Sequence, residues 1–94
     1  MRTFNVDQDL DNASMSALQE SFDDLARSSE DVCLDLSEVQ FMDSAGLDGM
    51  MSLCQALRRR SRKFAITHAE GQPLLLLRQV LLEGAARPAS SRLN

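Results

Sequence analysis

The chain contains no tryptophan and no tyrosine, and its four aromatic residues are all phenylalanine. That leaves little material for stacking bases or sugars, so nucleic-acid and carbohydrate platforms are disfavoured. It has one histidine, His68. A Ser/His/Asp enzyme would rest on that residue alone, and no Gly-x-Ser-x-Gly elbow surrounds any serine. Cys33 and Cys54 lack the CxxC spacing of a metal or redox site and are expected to be buried free thiols in a reducing compartment. No Gly-Lys-Ser/Thr follows Gly46 or Gly49, so a phosphate-binding loop is not expected. The longest strongly apolar run, Leu74 to Leu77, is far too short to span a bilayer, and no basic segment leads into an apolar stretch near Met1. A cytoplasmic protein without direct membrane insertion is the expectation.

What is present is an ordinary globular composition, 44% hydrophobic and 26% charged, in 94 residues. That suits one small domain with a single core, expected over residues 1–84, with a frayed tail over 85–94. The net charge of −4 conceals an asymmetry. Residues 1–48 hold twelve acids and two bases, net −10, whereas residues 49–94 hold two acids and eight bases, net +6. If the fold separates these halves in space, partners will be oriented electrostatically.

Along the chain, Thr3 to Asp7 alternates, with Phe4 and Val6 on one side, and predicts a strand. From Asn12 or Ser14, the positions Met15, Leu18, Phe22, Leu25 and Ala26 share one helical face, and that helix should end near Ser28-Ser29. Val32, Leu34 and Leu36 alternate as a second strand, and Phe64 to His68 supplies a third. Gln72-Pro73 opens a last helix that Gly84 is placed to stop. Strand and helix alternation implies an α/β fold: a small, mostly parallel sheet of three to four strands with helices packed mainly on one face. The run Arg58-Arg59-Arg60-Ser61-Arg62-Lys63 holds five of the ten bases. It reads as a solvated helix end, where the macrodipole favours cations, or as a patch for an acidic partner.

The informative stretch runs from Phe41 to Met51. Asp43 and Ser44 are both N-cap residue types, and Leu47, Met50, Met51, Cys54 and Leu57 follow at helical spacing, so one of the two caps a helix. Ser44 is then either a plain cap or a hydroxyl placed where a phosphate could be held. Asp7, Asp9 and Asp11 lack the Gly and terminal Glu of a calcium loop and read as a solvated acidic edge. No metal or cofactor is called for, His68 is expected to be structural or superficial, and an enzyme is disfavoured.

The segment Leu36-Ser37-Glu38-Val39-Gln40-Phe41-Met42-Asp43-Ser44-Ala45-Gly46-Leu47 resembles STAS domains, in particular those of bacterial anti-sigma factor antagonists. Gln8-Asp9-Leu10-Asp11 looks like the family's turn after its central strand, and Pro73 to Glu83 like its last crossover helix. Gln8 stands where the family usually has Gly, Asp48 where a Gly is common, and the leading strand and the closing strand and helix are not evident. The resemblance implies a shortened STAS-like fold, with Ser44 as phosphoacceptor and Asp43 as its supporting acid. It implies a partner surface of Asp9, Asp11, Asp43, Ser44, Ala45, Gly46, Leu47 and Asp48. The implied partner is an anti-sigma factor that is itself a serine kinase, bound when Ser44 is unphosphorylated, with a phosphatase to reset the site. Shortened STAS proteins also serve as constitutive subunits of a phospholipid-transport ABC complex, bound to its ATPase. Exposed sheet edges would also permit a homodimer.

Overall fold

A computed structural model describes residues 1–83. The expected tail over 85–94 and the stop at Gly84 lie outside the described residues. The elements are β1 (Arg2–Asn5), α1 (Asn12–Ala26), β2 (Val32–Asp35), α2 (Ser44–Arg59), β3 (Phe64–Thr67) and α3 (Gly71–Glu83). The three strands form one parallel sheet in the order β1-β2-β3, with Phe4, Leu34 and Ile66 in register. Strands laid down one after another by right-handed crossovers leave both crossover helices on the same face. The packing agrees: Phe4 of β1 meets Phe22 of α1 edge to face at 6.4 Å between ring centres, and Gly49 of α2 lies against Met15 and Phe22 of α1.

The alternation read from the strands separates the two faces. Val6, Val32, Leu34 and Leu36 are buried with Met15, Leu18, Phe22 and Leu25 of α1 and Met50, Leu53 and Leu57 of α2 in one core. The other face carries Thr3, Asn5 and Ala65, which are exposed, and Cys33, which is buried beside Thr67 with Sγ 3.6 Å from its Oγ1. Leu77 of α3 joins the same core, with Leu76 and Ala69 packed against it.

Several boundaries differ from the sequence expectation. The strands are four residues each: the Val6 and Leu36 N–H groups still reach the Asp35 and Thr67 carbonyls of the neighbouring strands, at 3.0 and 2.9 Å, but the pairing goes no further, and both side chains lie in the core. Helix α1 ends at Ala26, short of Ser28-Ser29, because the Arg27 N–H already turns back to the carbonyls of Asp24 and Leu25. The Ser28 hydroxyl then accepts the Glu30 N–H and donates to the Glu30 carbonyl, holding a turn. Both cysteines are free, but only Cys33 is buried. Cys54 is half-buried, since it flanks the inward stripe of α2, and burial still pushes its thiol pKa up.

In a parallel sheet every strand ends toward one side, and every following helix begins there. That side collects the loops containing Asp7, Asp9 and Asp11 after β1, Asp35, Glu38, Asp43 and Asp48 from the end of β2 to the start of α2, and Glu70 after β3. No lysine or arginine lies in those loops. The basic run spans the last turn of α2 and the loop after it and lies at the opposite end. The charge asymmetry of the sequence is therefore an asymmetry of the folded molecule.

Candidate functional site

The β2–α2 turn is held from three directions. Beneath it, an isolated parallel bridge joins Leu10 to Met42, with the Leu10 N–H on the Phe41 carbonyl and the Asp43 N–H on the Leu10 carbonyl, each at 3.0 Å. From the β1–α1 loop, Asp9 Oδ1 accepts the N–H groups of Gln40 at 3.0 Å and Phe41 at 3.2 Å. From the start of α3, the Gln72 amide pairs with both polar groups of Met42. Its Oε1 accepts the Met42 N–H and its Nε2 donates to the Met42 carbonyl, both at 2.8 Å. Met42 itself is buried at 1% exposure. A turn this tightly held presents its next residues in one fixed geometry.

Asp43, not Ser44, caps α2. Its backbone is extended, and Oδ1 accepts from Ala45 N at 2.9 Å and Gly46 N at 3.1 Å. Oδ2 accepts from Asn12 N at 3.1 Å, the first residue of α1, so one carboxylate ties together the starts of two helices. These backbone donors, Gly46 first, outweigh desolvation and hold the Asp43 carboxyl below its ordinary pKa. Asp11 caps α1 in the same way, accepting from Ser14 N at 2.8 Å.

Ser44 is the first helical residue, and it is exposed. The early N–H groups of α2 are shared out: Asp43 donates to Leu10, Ala45 and Gly46 donate to the cap, and Leu47 closes the first helical bond to the Asp43 carbonyl at 2.9 Å. Among the described residues, neither the Ser44 N–H nor its hydroxyl has a partner. A serine at this position offers a free Oγ on a rigid backbone, with its own N–H beside it.

Gly46 explains how the site closes. A Cβ there would sit 1.9 Å from the Leu10 carbonyl oxygen, so only glycine lets α2 pass this close to the bridge. Ala45 and Leu47 are half-buried against the core, and Asp48 is exposed one turn further along α2. Met51 lies on the same helical face as Ser44 and Asp48 and is 46% exposed, and Phe41, three residues before Ser44, is 44% exposed. The fold thus gathers Asp9, Asp11, Asp43, Ser44 and Gly46 around the Leu10–Met42 bridge. It gives Asp9 and Asp11 the task of holding backbone rather than a shared ion.

A model of the STAS domain matches residues 1–85. The chain belongs to the STAS domain family. No individual curated protein matches it. STAS domains are in general non-catalytic binding modules, and in this one no helix among the described residues is long and apolar enough to cross a membrane. His68 directly follows β3. Its backbone is left-handed at φ 61°, and its Nδ1 lies 3.4 Å from Asp35 Oδ1 with the ring largely exposed. The pKa of Asp35 is lowered chiefly by the Ser37 N–H, with His68 a smaller cause.

Two members of the STAS site are invisible to local pattern. Gln72 looks like an ordinary first-turn residue before Pro73, and its partner lies 30 positions away. Asn12, which donates to Asp43, gives no signal beyond being a helix start. The short polar step before each of two helices is the only hint that their beginnings converge.

Proposed function

We propose that this STAS domain is a phosphorylation-controlled docking module of the anti-sigma factor antagonist type, with Ser44 as the phosphoacceptor. The observation that carries the reading is the exposed, unpartnered Ser44 hydroxyl at the first position of α2. Its backbone is anchored by Asp43, Asp9 and Gln72, so a kinase meets the hydroxyl in a constant setting. The partner in this reading is an anti-sigma factor that is also a serine kinase, and a phosphatase restores the free hydroxyl.

The local chemistry supports a switch that acts on the partner rather than on the fold. A phosphate adds about 1.5 to 2 negative charges. The Ala45 and Gly46 N–H groups that would otherwise draw it onto the helix are occupied by Asp43. With only the Ser44 N–H left free beside it, the phosphate projects largely outward, into an end of the molecule already crowded with carboxylates. A partner packed over Phe41, Ser44 and Met51 would have to desolvate or oppose that dianion. A hundredfold loss of affinity corresponds to about 2.7 kcal/mol, within what a trapped, unpaired charge costs.

The test is affinity of the full chain for its cognate kinase, with intact-mass measurement of phosphate. Ser44→Ala should bind as wild type and take no phosphate, and Ser44→Asp should bind at least tenfold more weakly. Equal binding by Ser44→Asp overturns the switch. A second reading, a constitutive subunit bound to the ATPase of a phospholipid-transport ABC complex, is favoured by the exposed Phe41 and Met51, which offer apolar contact independent of any modification. Stoichiometric co-purification of a membrane ATPase, unaffected by Ser44→Asp, would select it.

A further inference from the structure

The end of the molecule opposite Ser44 carries a cluster of cations that the fold does not use. Arg58 and Arg59 occupy the last turn of α2, Arg60 is its C-cap, and Arg62 and Lys63 lead into β3, all of them exposed. Helix-dipole complementarity accounts for the first two but not for the rest. The acids of the same end have partners of their own, Asp31 through the backbone of Lys63 itself. Asp24 pairs with Arg2 at 3.6 Å and Arg27 at 3.7 Å, Glu30 with the N-terminal amine at 3.3 Å, and Asp31 accepts the Lys63 backbone N–H at 2.9 Å. Asp23 accepts from the Gln19 amide. Arg60 is drawn across to the Ser28 carbonyl at 3.3 Å, tying the two loops of this end together. Among the described residues, the side chains of Arg58, Arg59, Arg62 and Lys63 have no acidic partner.

We propose that this end is a docking surface for an anionic lipid bilayer, which the domain meets with its Ser44 end pointing away. Four uncompensated cations within six residues fall in the range that reads as an acidic-lipid surface site. A protein interface needs an apolar centre; of the exposed large hydrophobic residues Phe41, Met51 and Leu75 lie outside this run, and Met1 alone lies at this end, a single side chain that a bilayer can also accept. A nucleic acid is matched less well. No aromatic side chain is exposed here for stacking. Gln55, Arg58 and Arg59 line a shallow, open recess of about 290 Å³ at the edge of this run. The acidic far end is repelled by the same membrane, so binding is oriented as well as attractive.

Each cation near an acidic leaflet strengthens binding by about fivefold. The experiment is flotation of the full chain with vesicles of equal phosphatidylglycerol and phosphatidylcholine, and with phosphatidylcholine alone, at about 0.1 M salt, where the Debye length is about 10 Å. The expected result is binding to the acidic vesicles only, lost at high salt. In a variant combining Arg58→Gln, Arg59→Gln, Arg62→Gln and Lys63→Gln it should be weakened more than a hundredfold. These side chains are exposed, so the circular dichroism of the variant should match wild type, and its thermal midpoint should fall by no more than about a few degrees, through the loss of Arg58 and Arg59 from the end of α2. A control with Asp7→Asn and Glu38→Gln at the far end should bind at least as well as wild type. Absence of binding to acidic vesicles, undiminished binding by the neutralised variant, or tighter binding to duplex DNA or RNA at equal phosphate concentration would each overturn the proposal.

Discussion

Gly46 and Gly49 sit three residues apart on α2 and would answer the same substitution in opposite ways. An alanine methyl at 46 meets the carbonyl oxygen of Leu10 at 1.9 Å, its carbon at 2.5 Å and the Leu10 Cβ at 2.7 Å. Two of these three are backbone atoms, and they belong to the bridge that supports the Ser44 turn, so α2 must move away and break the Asp43–Leu10 bond. Gly46→Ala should cost about 3 kcal/mol or more. At 49 the nearest atom is the terminal methyl of Met15, at 2.4 Å, with its sulfur at 3.5 Å. A methionine end can swing aside, and replacing a mid-helix glycine with alanine returns up to about 1 kcal/mol of backbone entropy. Gly49→Ala should therefore leave stability within about 0.5 kcal/mol of wild type. Urea midpoints of the two variants decide it, and similar losses at both positions would show that α2 does not approach β1–α1 as described.

At the scale of elements, periodicity located α1, α2 and the three strands, because each buries one face and that face recurs at the period of its own geometry, while α3 was marked by Gln72-Pro73 at its start. It read the ends less well. The end of α1 is set by where the Arg27 N–H finds carbonyls, and the shortness of the strands by where the ladder stops, and neither leaves a mark in hydrophobic spacing. The choice between Asp43 and Ser44 as cap stayed open for the same reason, since both side chains can accept from the following amides. What locks the turn is longer in range still: Gln72 belongs to α3 yet makes both of its bonds to Met42. Gln72→Ala should unpair a buried residue's two backbone groups and cost about 1 to 2 kcal/mol, since water can reach part of the gap. Amide exchange at Met42 and Asp43 should accelerate more than exchange in β2. Gln72→Glu, which sets a carboxylate oxygen against the Met42 carbonyl and adds charge to an acidic end, should cost at least as much as Gln72→Ala. If exchange at Met42 is unchanged in Gln72→Ala, the clamp on the candidate site is not made by α3.

The whole molecule is governed by how a parallel sheet sorts its loops, placing eight carboxylates and, among the described residues, no lysine or arginine in the loops of the Ser44 end. Several of those carboxylates do structural work through backbone hydrogen bonds, as Asp9, Asp11, Asp35 and Asp43 do, and removing them would lose those bonds along with the charge. Asp7 and Glu38 differ: both are exposed, and no hydrogen bond or ion pair among the described residues involves them. Neutralising these two removes only repulsion. Two unit charges about 10 Å apart in water repel by about 0.4 kcal/mol before screening, and each of the pair faces several like neighbours. The variant carrying Asp7→Asn and Glu38→Gln should therefore be more stable than wild type by about 0.5 to 1 kcal/mol in low salt. The gain should shrink as salt shortens the Debye length from about 30 Å at 0.01 M to about 3 Å at 1 M. Urea denaturation at those two ionic strengths measures both numbers. A gain that persists at 1 M salt would come from local conformation rather than from charge. No gain at 0.01 M would mean that the acidic end is not strained by its own field, and that a phosphate added at Ser44 must act through the partner's contact surface alone.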